Sequence, residues 1–118
     1  MSKPTKCIPV DTAKTLHENW INTRQEAIDR AIGEEDNRSC FYTVAELKEY
    51  LDYVTEMSNE QNITNPGIRL YFAAYNQDSN KKATIFLAPT VGDTHNTENN
   101  YNIDPFNFGS AGHPPLDY

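Results

Sequence analysis

Residues 68–75 alternate strictly. Ile68, Leu70, Phe72 and Ala74 fall on one face of an extended chain, and Arg69, Tyr71, Ala73 and Tyr75 on the other. Asn65-Pro66-Gly67 interrupts the chain just before this run. A polar connection covers residues 76–82, and Thr84-Ile85-Phe86-Leu87-Ala88 then reads as a second strand. The two runs predict an antiparallel hairpin. A lone hairpin is marginal in water, so helices or further strands must cover it.

Two segments can supply that cover. Thr43-Val44-Ala45-Glu46 is a capping box, and it opens a helix expected over about 44 to 58. Val44, Leu47, Tyr50, Leu51, Val54 and Met57 share one face of it, with Glu49, Asp52 and Glu56 opposite. The earlier segment starts after Pro9, with Asp11 or Thr12 as N-cap. Ala13, Leu16, Trp20, Ile21, Ala27, Ile28, Ala31 and Ile32 fall within an arc of about 160° at helical spacing. One helix over about 12 to 32, closed by Gly33, fits them. Thr23-Arg24-Gln25-Glu26 is itself a capping box, so a break after Asn22 stays open. Cys40-Phe41-Tyr42 is short enough for a minor strand. The expectation is a single small α+β domain over 1–118, with 1–10 and 91–118 mostly irregular and the tail packed through its aromatics.

Core material is scarce. Leu, Ile, Val and Phe make up 23 of 118 residues, about 19%, beside a net charge of -7. That is the composition range in which disorder begins. The charge is unevenly placed, however: residues 1–33 carry +1, 34–66 carry -6, 67–92 carry +2 and 93–118 carry -4. A small core with an acidic periphery is the folded arrangement this allows. The acidic balance speaks against nucleic-acid binding, which calls for a basic patch. No run is long and apolar enough to span a membrane, and no export signal is visible in Met1–Val10. A cytoplasmic protein with Cys7 and Cys40 reduced is therefore expected, although one disulfide between them is not excluded.

Motifs for nucleotide, metal and nucleophilic chemistry fail on their own terms. There is no CxxC, and His17, His95 and His113 share no ligand spacing. Asn76-Gln77-Asp78-Ser79-Asn80 opens like a calcium loop, but Lys81 and Leu87 stand where Gly and Glu are required. Ser110 directly follows Gly109, so Gly109–His113 is no nucleophile elbow. Glu49, Asp52 and Glu56 could share a cation, but a solvated helix face is the simpler account. His17 and Arg24 lie inside the apolar arc of the first helix. They make either an internal ion pair with a flanking His or, with His113, a pocket between that helix and the tail.

Glu18-Asn19-Trp20, Gly67-Ile68-Arg69-Leu70-Tyr71-Phe72-Ala73-Ala74-Tyr75, Thr84-Ile85-Phe86-Leu87-Ala88-Pro89-Thr90 and Asn107–Pro115 together resemble a group of small uncharacterised Bacteroidetes proteins. The similarity runs in short patches over about residues 16 to 115. No activity is established for that group, so it assigns no catalytic residue. It implies a self-contained small protein whose Gly-Pro tail belongs to the fold.

The function expected from these readings is non-enzymatic: a protein-binding or self-assembly module, with no cofactor and no metal. Its interface would use the hairpin and the tail, through Arg69, Tyr71, Tyr75, Phe106, Phe108 and His113. The competing readings are a small ligand-binding protein or enzyme using His17, Arg24 and His113, and an acidic mimic of nucleic acid. The partner is expected to be a protein, or a second copy in a homo-oligomer.

Overall fold

A computed structural model of the chain describes residues 1–107, 110, 111 and 115–118. It is an α+β fold. In chain order the elements are α1 (Val10–Trp20), a π-helical segment (Ile21–Gln25), α2 (Glu26–Ile32), β1 (Cys40–Phe41), α3 (Val44–Glu60), β2 (Ile68–Ala74), β3 (Ala83–Pro89) and β4 (Ser110–Ala111). β2 and β3 form the antiparallel hairpin, with Leu70 opposite Leu87, Tyr71 opposite Phe86 and Phe72 opposite Ile85. A tight turn with paired backbone bonds between Gln77 and Asn80 closes it. Its open end is clamped at Gly67. The Gly67 amide donates to Thr90 Oγ1 at 2.8 Å, and Thr90 N donates to the Gly67 carbonyl at 2.9 Å. A Cβ on Gly67 would lie 2.8 Å from that same Thr90 hydroxyl, so the close approach requires glycine.

Hydrogen bonding along an antiparallel pair alternates. Thr90 N bonds Gly67 O and Tyr75 N bonds Lys82 O, so odd-numbered residues of β2 direct their backbone groups to β3. The backbone N–H and C=O of Leu70 and Phe72 then lie on the outer edge. β3 is better protected: Leu87 and Phe106 exchange two backbone bonds at 2.9 Å on its far side.

α3 begins where its capping sequence predicts. Thr43 Oγ1 accepts from Glu46 N at 3.0 Å and donates to the Glu46 carboxylate. The helix, which ends at Glu60, is closed off by Asn62, whose φ of 63° is left-handed, while Ile63 N reaches back to Ser58 O at 2.8 Å. Tyr50 and Val54 pack with Leu87 and Ile103 as the core, and Leu47, Met57, Ile68, Ile85 and Phe106 surround them. Tyr50 stacks on Phe106 with ring centroids 4.6 Å apart. The buried stripe is narrower than the apolar face of the sequence, since Val44 and Leu51 are exposed. α3 thus covers β3, the start of β2 and Phe106, and leaves the middle of β2 bare.

Residues 10–32 are helical throughout. The second capping box does not break the helix: Thr23 Oγ1 donates to Asn19 O instead of capping, and the turn around it widens to π geometry. The extra residue per turn changes which side chain points inward. Gln25 is buried and Arg24 is exposed, lying 5.7 Å over the Trp20 ring. The expected internal Arg24 ion pair is therefore replaced by a neutral amide. Gln25 accepts from Trp20 Nε1 at 3.0 Å and donates to Asp29 at 2.7 Å, and Asp29 accepts from Asp36 N at 2.8 Å. Asp36 in turn accepts from Ala83 N at 2.7 Å, and Asn37 donates to Ala83 O at 3.0 Å. The acidic segment 34–37 is in part a tether. Asp36 and Asn37 are buried, and Glu34 pairs with Lys82.

Candidate functional site

Arg69 and Tyr71 are placed on the hairpin face opposite Leu70 and Phe72, as the alternation requires, but that face is covered. Arg69 donates to Asn99 Oδ1 at 2.6 Å and to the carbonyls of His95 and Thr97 at 2.6 and 2.9 Å, which organises the loop after β3. Tyr71 stacks on Phe86 at 4.9 Å and accepts from Asn99 Nδ2 at 2.6 Å. The Asn99 amide, with Arg69 beside it, holds the Tyr71 phenol below its usual range. Both residues thus spend their polar groups inside the chain. Tyr75 is exposed at its rim and donates to Asn107 Oδ1 at 3.2 Å. Phe106 is half-buried against Tyr50 and Tyr42. Phe108 and His113 lie outside the described residues.

The residues of the expected helix–tail pocket separate in the same way. His17 pairs with Asp117 at 3.1 Å, and Arg38 Nε lies 3.2 Å from the same carboxylate oxygen. The His17 hydrogen bond first, and Arg38 next, hold the Asp117 carboxyl below the usual range. This cluster fastens the chain end to α1 and to the segment before β1. Arg24 stacks on Trp20 and bonds Thr23 at 2.8 Å, so it takes no part in the cluster. Glu49, Asp52 and Glu56 are exposed on the outer face of α3, and no group of metal-ligating side chains is assembled among the described residues. Cys7 and Cys40 are both free thiols. No helix among the described residues is long and apolar enough to cross a membrane.

Two features that residue-by-residue reading passes over stand out instead. The first is the bare half of the hairpin. Leu70 and Phe72 are 61% and 90% exposed although they share a face with Leu87 and Ile85, which pack in or against the core. They also sit on the strand edge, where their backbone groups have no partner among the described residues, and Leu70–Ala74 contains no charge and no proline to protect it. Alternation marks these residues as one face, but which face lacks cover depends on where α3 comes to rest.

The second is a cavity of about 240 Å³ beside that edge. Trp20 and Ile28 form one wall, Phe72 and Ile85 another, and residues 36–40 close the third side. Asn37 lines it and is 7% exposed. Its Nδ2 donates to Ala83 O, which fixes the amide's orientation, and its Oδ1 is buried with no partner among the described residues. A buried acceptor left unsatisfied costs about 1–3 kcal/mol. Two charged side chains also line the wall: Asp36 accepts from Ala83 N, and Arg38 lies beside Asp117, its buried Nε making no hydrogen bond among the described residues.

Comparison with known proteins finds no family model, no curated protein and no solved structure that matches this chain.

Proposed function

We propose that this protein is a self-assembly module that associates through the outer edge of β2. The observation that carries this reading is the coincidence of unpaired backbone groups with exposed apolar side chains at Leu70 and Phe72. A second copy satisfies both at once. Antiparallel pairing of β2 with β2 about a two-fold axis near Tyr71 sets Leu70 of one copy opposite Phe72 of the other and extends two hairpins into one four-stranded sheet.

The surface area supports the same partner. A folded monomer of 13.4 kDa exposes about 6,500 Å², whereas this chain exposes 9075 Å². The excess, about 2,600 Å² per chain, is at the upper end of what obligate dimers remove. Electrostatics do not oppose contact here, because residues 67–92 carry +2 while the acidity lies in 34–66 and 93–118. The interface is thereby moved from the tyrosine face of the hairpin to the edge beside it.

Sedimentation velocity over a concentration series tests the proposal. The unaltered chain is expected to run as a dimer at micromolar concentration, and Leu70→Lys as a folded monomer, since an exposed lysine on the edge blocks strand pairing without touching the core. A monomeric unaltered chain, or a dimer unchanged by Leu70→Lys, overturns it.

A further inference from the structure

The excess surface carries a second inference, which rests on the β2 seam proposed above. The seam by itself covers little. An aromatic side chain buries about 150–250 Å² when fully covered and a leucine less, so Leu70 and Phe72 supply under about 500 Å², against about 800 Å² per partner in a standard interface. The helical arm, residues 10–32, has surface to add. Neither α1 nor α2 buries a residue. Leu16, Ala27 and Ala31 are exposed, and the cavity of about 240 Å³ lies beneath the arm where it meets the hairpin. α3 is bare along one flank. Glu46, Glu49 and Tyr53 line a cleft beside Phe106, on the far side of β3. Leu51, about 160° round the helix from Tyr53, is exposed on the other flank with Val44, and that flank is the one toward β2.

Symmetry decides which of these surfaces meet. α3 packs over Ile68 and Leu87, at the open end of the hairpin, and the arm stands over Phe72 and Ile85, toward the turn. The pairs Leu70–Leu87 and Phe72–Ile85 share a face, so α3 and the arm rise from the same side of the sheet. The two-fold axis near Tyr71 sets Ala74 beside the partner's Ile68 as well as Phe72 beside the partner's Leu70. Because both hairpins join one continuous sheet, that axis is normal to it and keeps the two apolar faces on one side. It also exchanges open end for turn. The arm of each copy therefore stands across the seam from the partner's α3, with the exposed Leu70 and Phe72 of both copies between them.

We propose that the two arms complete the dimer: each packs across the seam against the Leu51 flank of the other copy's α3 and covers the strip formed by Leu70 and Phe72. The contact is made twice by the same axis, so it closes on itself and ends at two copies. It also gives a partner to an arm held to its own chain chiefly by the Trp20–Gln25–Asp29 relay and the His17–Asp117 pair.

The experiment mixes two versions of the full chain, both carrying Cys7→Ser and Cys40→Ser so that no native thiol remains. One carries Ala27→Cys, and the other, isotope-labelled, carries Leu51→Cys. A short bismaleimide is added and the products are read by mass spectrometry, beside sedimentation velocity of Leu51→Gln. The expected product joins position 27 of a light chain to position 51 of a heavy one, in a yield well above the cross-linking of either version alone. Adding Leu70→Lys to both versions should abolish it. Leu51→Gln changes only an exposed helix position and is expected to weaken the dimer about 10-fold or more, the value of one covered leucine.

A dimer that Leu70→Lys dissolves, yet that gives no such product and is as tight with Leu51→Gln, overturns the arm contact and leaves the seam standing. A product that survives Leu70→Lys overturns the placement of the arms on the β2 axis. A monomeric unaltered chain removes seam and arm contact together.

Discussion

Tyr50 shows how one side chain can join elements whose sequence separation is large. Its ring fills the core beneath Phe106, and its hydroxyl donates chiefly to Asp104 O at 2.9 Å, with Leu87 O further off at 3.3 Å. Helix, strand and post-strand loop thereby meet at one phenol. Burial first, then the neighbouring Tyr53 and Asp104, push that phenol up to about 12. The folded value lies above the ordinary one of 10, so the fold retains the neutral form. Stability from this group is intact below about pH 10 and is lost progressively as pH rises from there to about 12. Tyr50→Phe should lower stability by about 1 kcal/mol at neutral pH through the lost hydrogen bond, yet flatten this alkaline decline. Urea denaturation of both proteins at neutral and strongly alkaline pH checks it. Because Tyr71 shifts the other way, the difference between the two proteins, not either curve alone, isolates Tyr50.

At the scale of elements, the helical arm depends on polar contacts more than on buried hydrocarbon. α1 buries no residue, and Val10 and Leu16 are exposed, so an isolated helix of its length would be marginal. The π segment matters because it turns Gln25 inward to link Trp20 with Asp29. Gln25→Leu should cost about 1–3 kcal/mol, since it leaves the indole N–H and the Asp29 carboxylate each short of a partner. The check is a lowered thermal midpoint with a shift in Trp20 emission. Sequence pattern located this arm well: a helix over about 12 to 32 was legible from apolar spacing, against an observed start at Val10, and the second capping box, which left a break after Asn22 open, fell on the irregular turn. It could not reveal Gln25 in place of Arg24, because periodicity at 100° per residue assumes the very turn that the π segment alters. The hairpin was legible for the same reason, strands being fixed by alternation and breakers. Which of its faces is covered was not, since the cover on Arg69 and Tyr71 comes from loop residues 95–99, whose own sequence has no period. The local polarity of Asp36 and Asn37 carries no sign that they will serve as hydrogen-bonding partners of Ala83.

The whole molecule is extended for its length. Its radius of gyration is 16.6 Å, against about 13.5 Å expected for a compact chain of 118 residues. A composition with so little aliphatic and Phe content explains this: the core formed around Tyr50, Val54, Leu87 and Ile103 is too small to draw the arm and the β2 edge onto it. If association at β2 supplies the missing burial, folding and assembly are linked, and stability depends on concentration by mass action. The thermal midpoint of the unaltered chain should therefore rise across a hundredfold increase in protein concentration, while that of Leu70→Lys stays constant at the lower value. Amide exchange gives the residue-level counterpart. The outward N–H groups of Leu70 and Phe72 should be protected in the concentrated sample and exchange freely on dilution, whereas those of Tyr71 and Ala73, bonded to β3 in either state, should be protected throughout. A midpoint independent of concentration, with Leu70 and Phe72 amides exchanging freely in both samples, would mean that the small core stands alone and that the bare edge has no partner in its own kind.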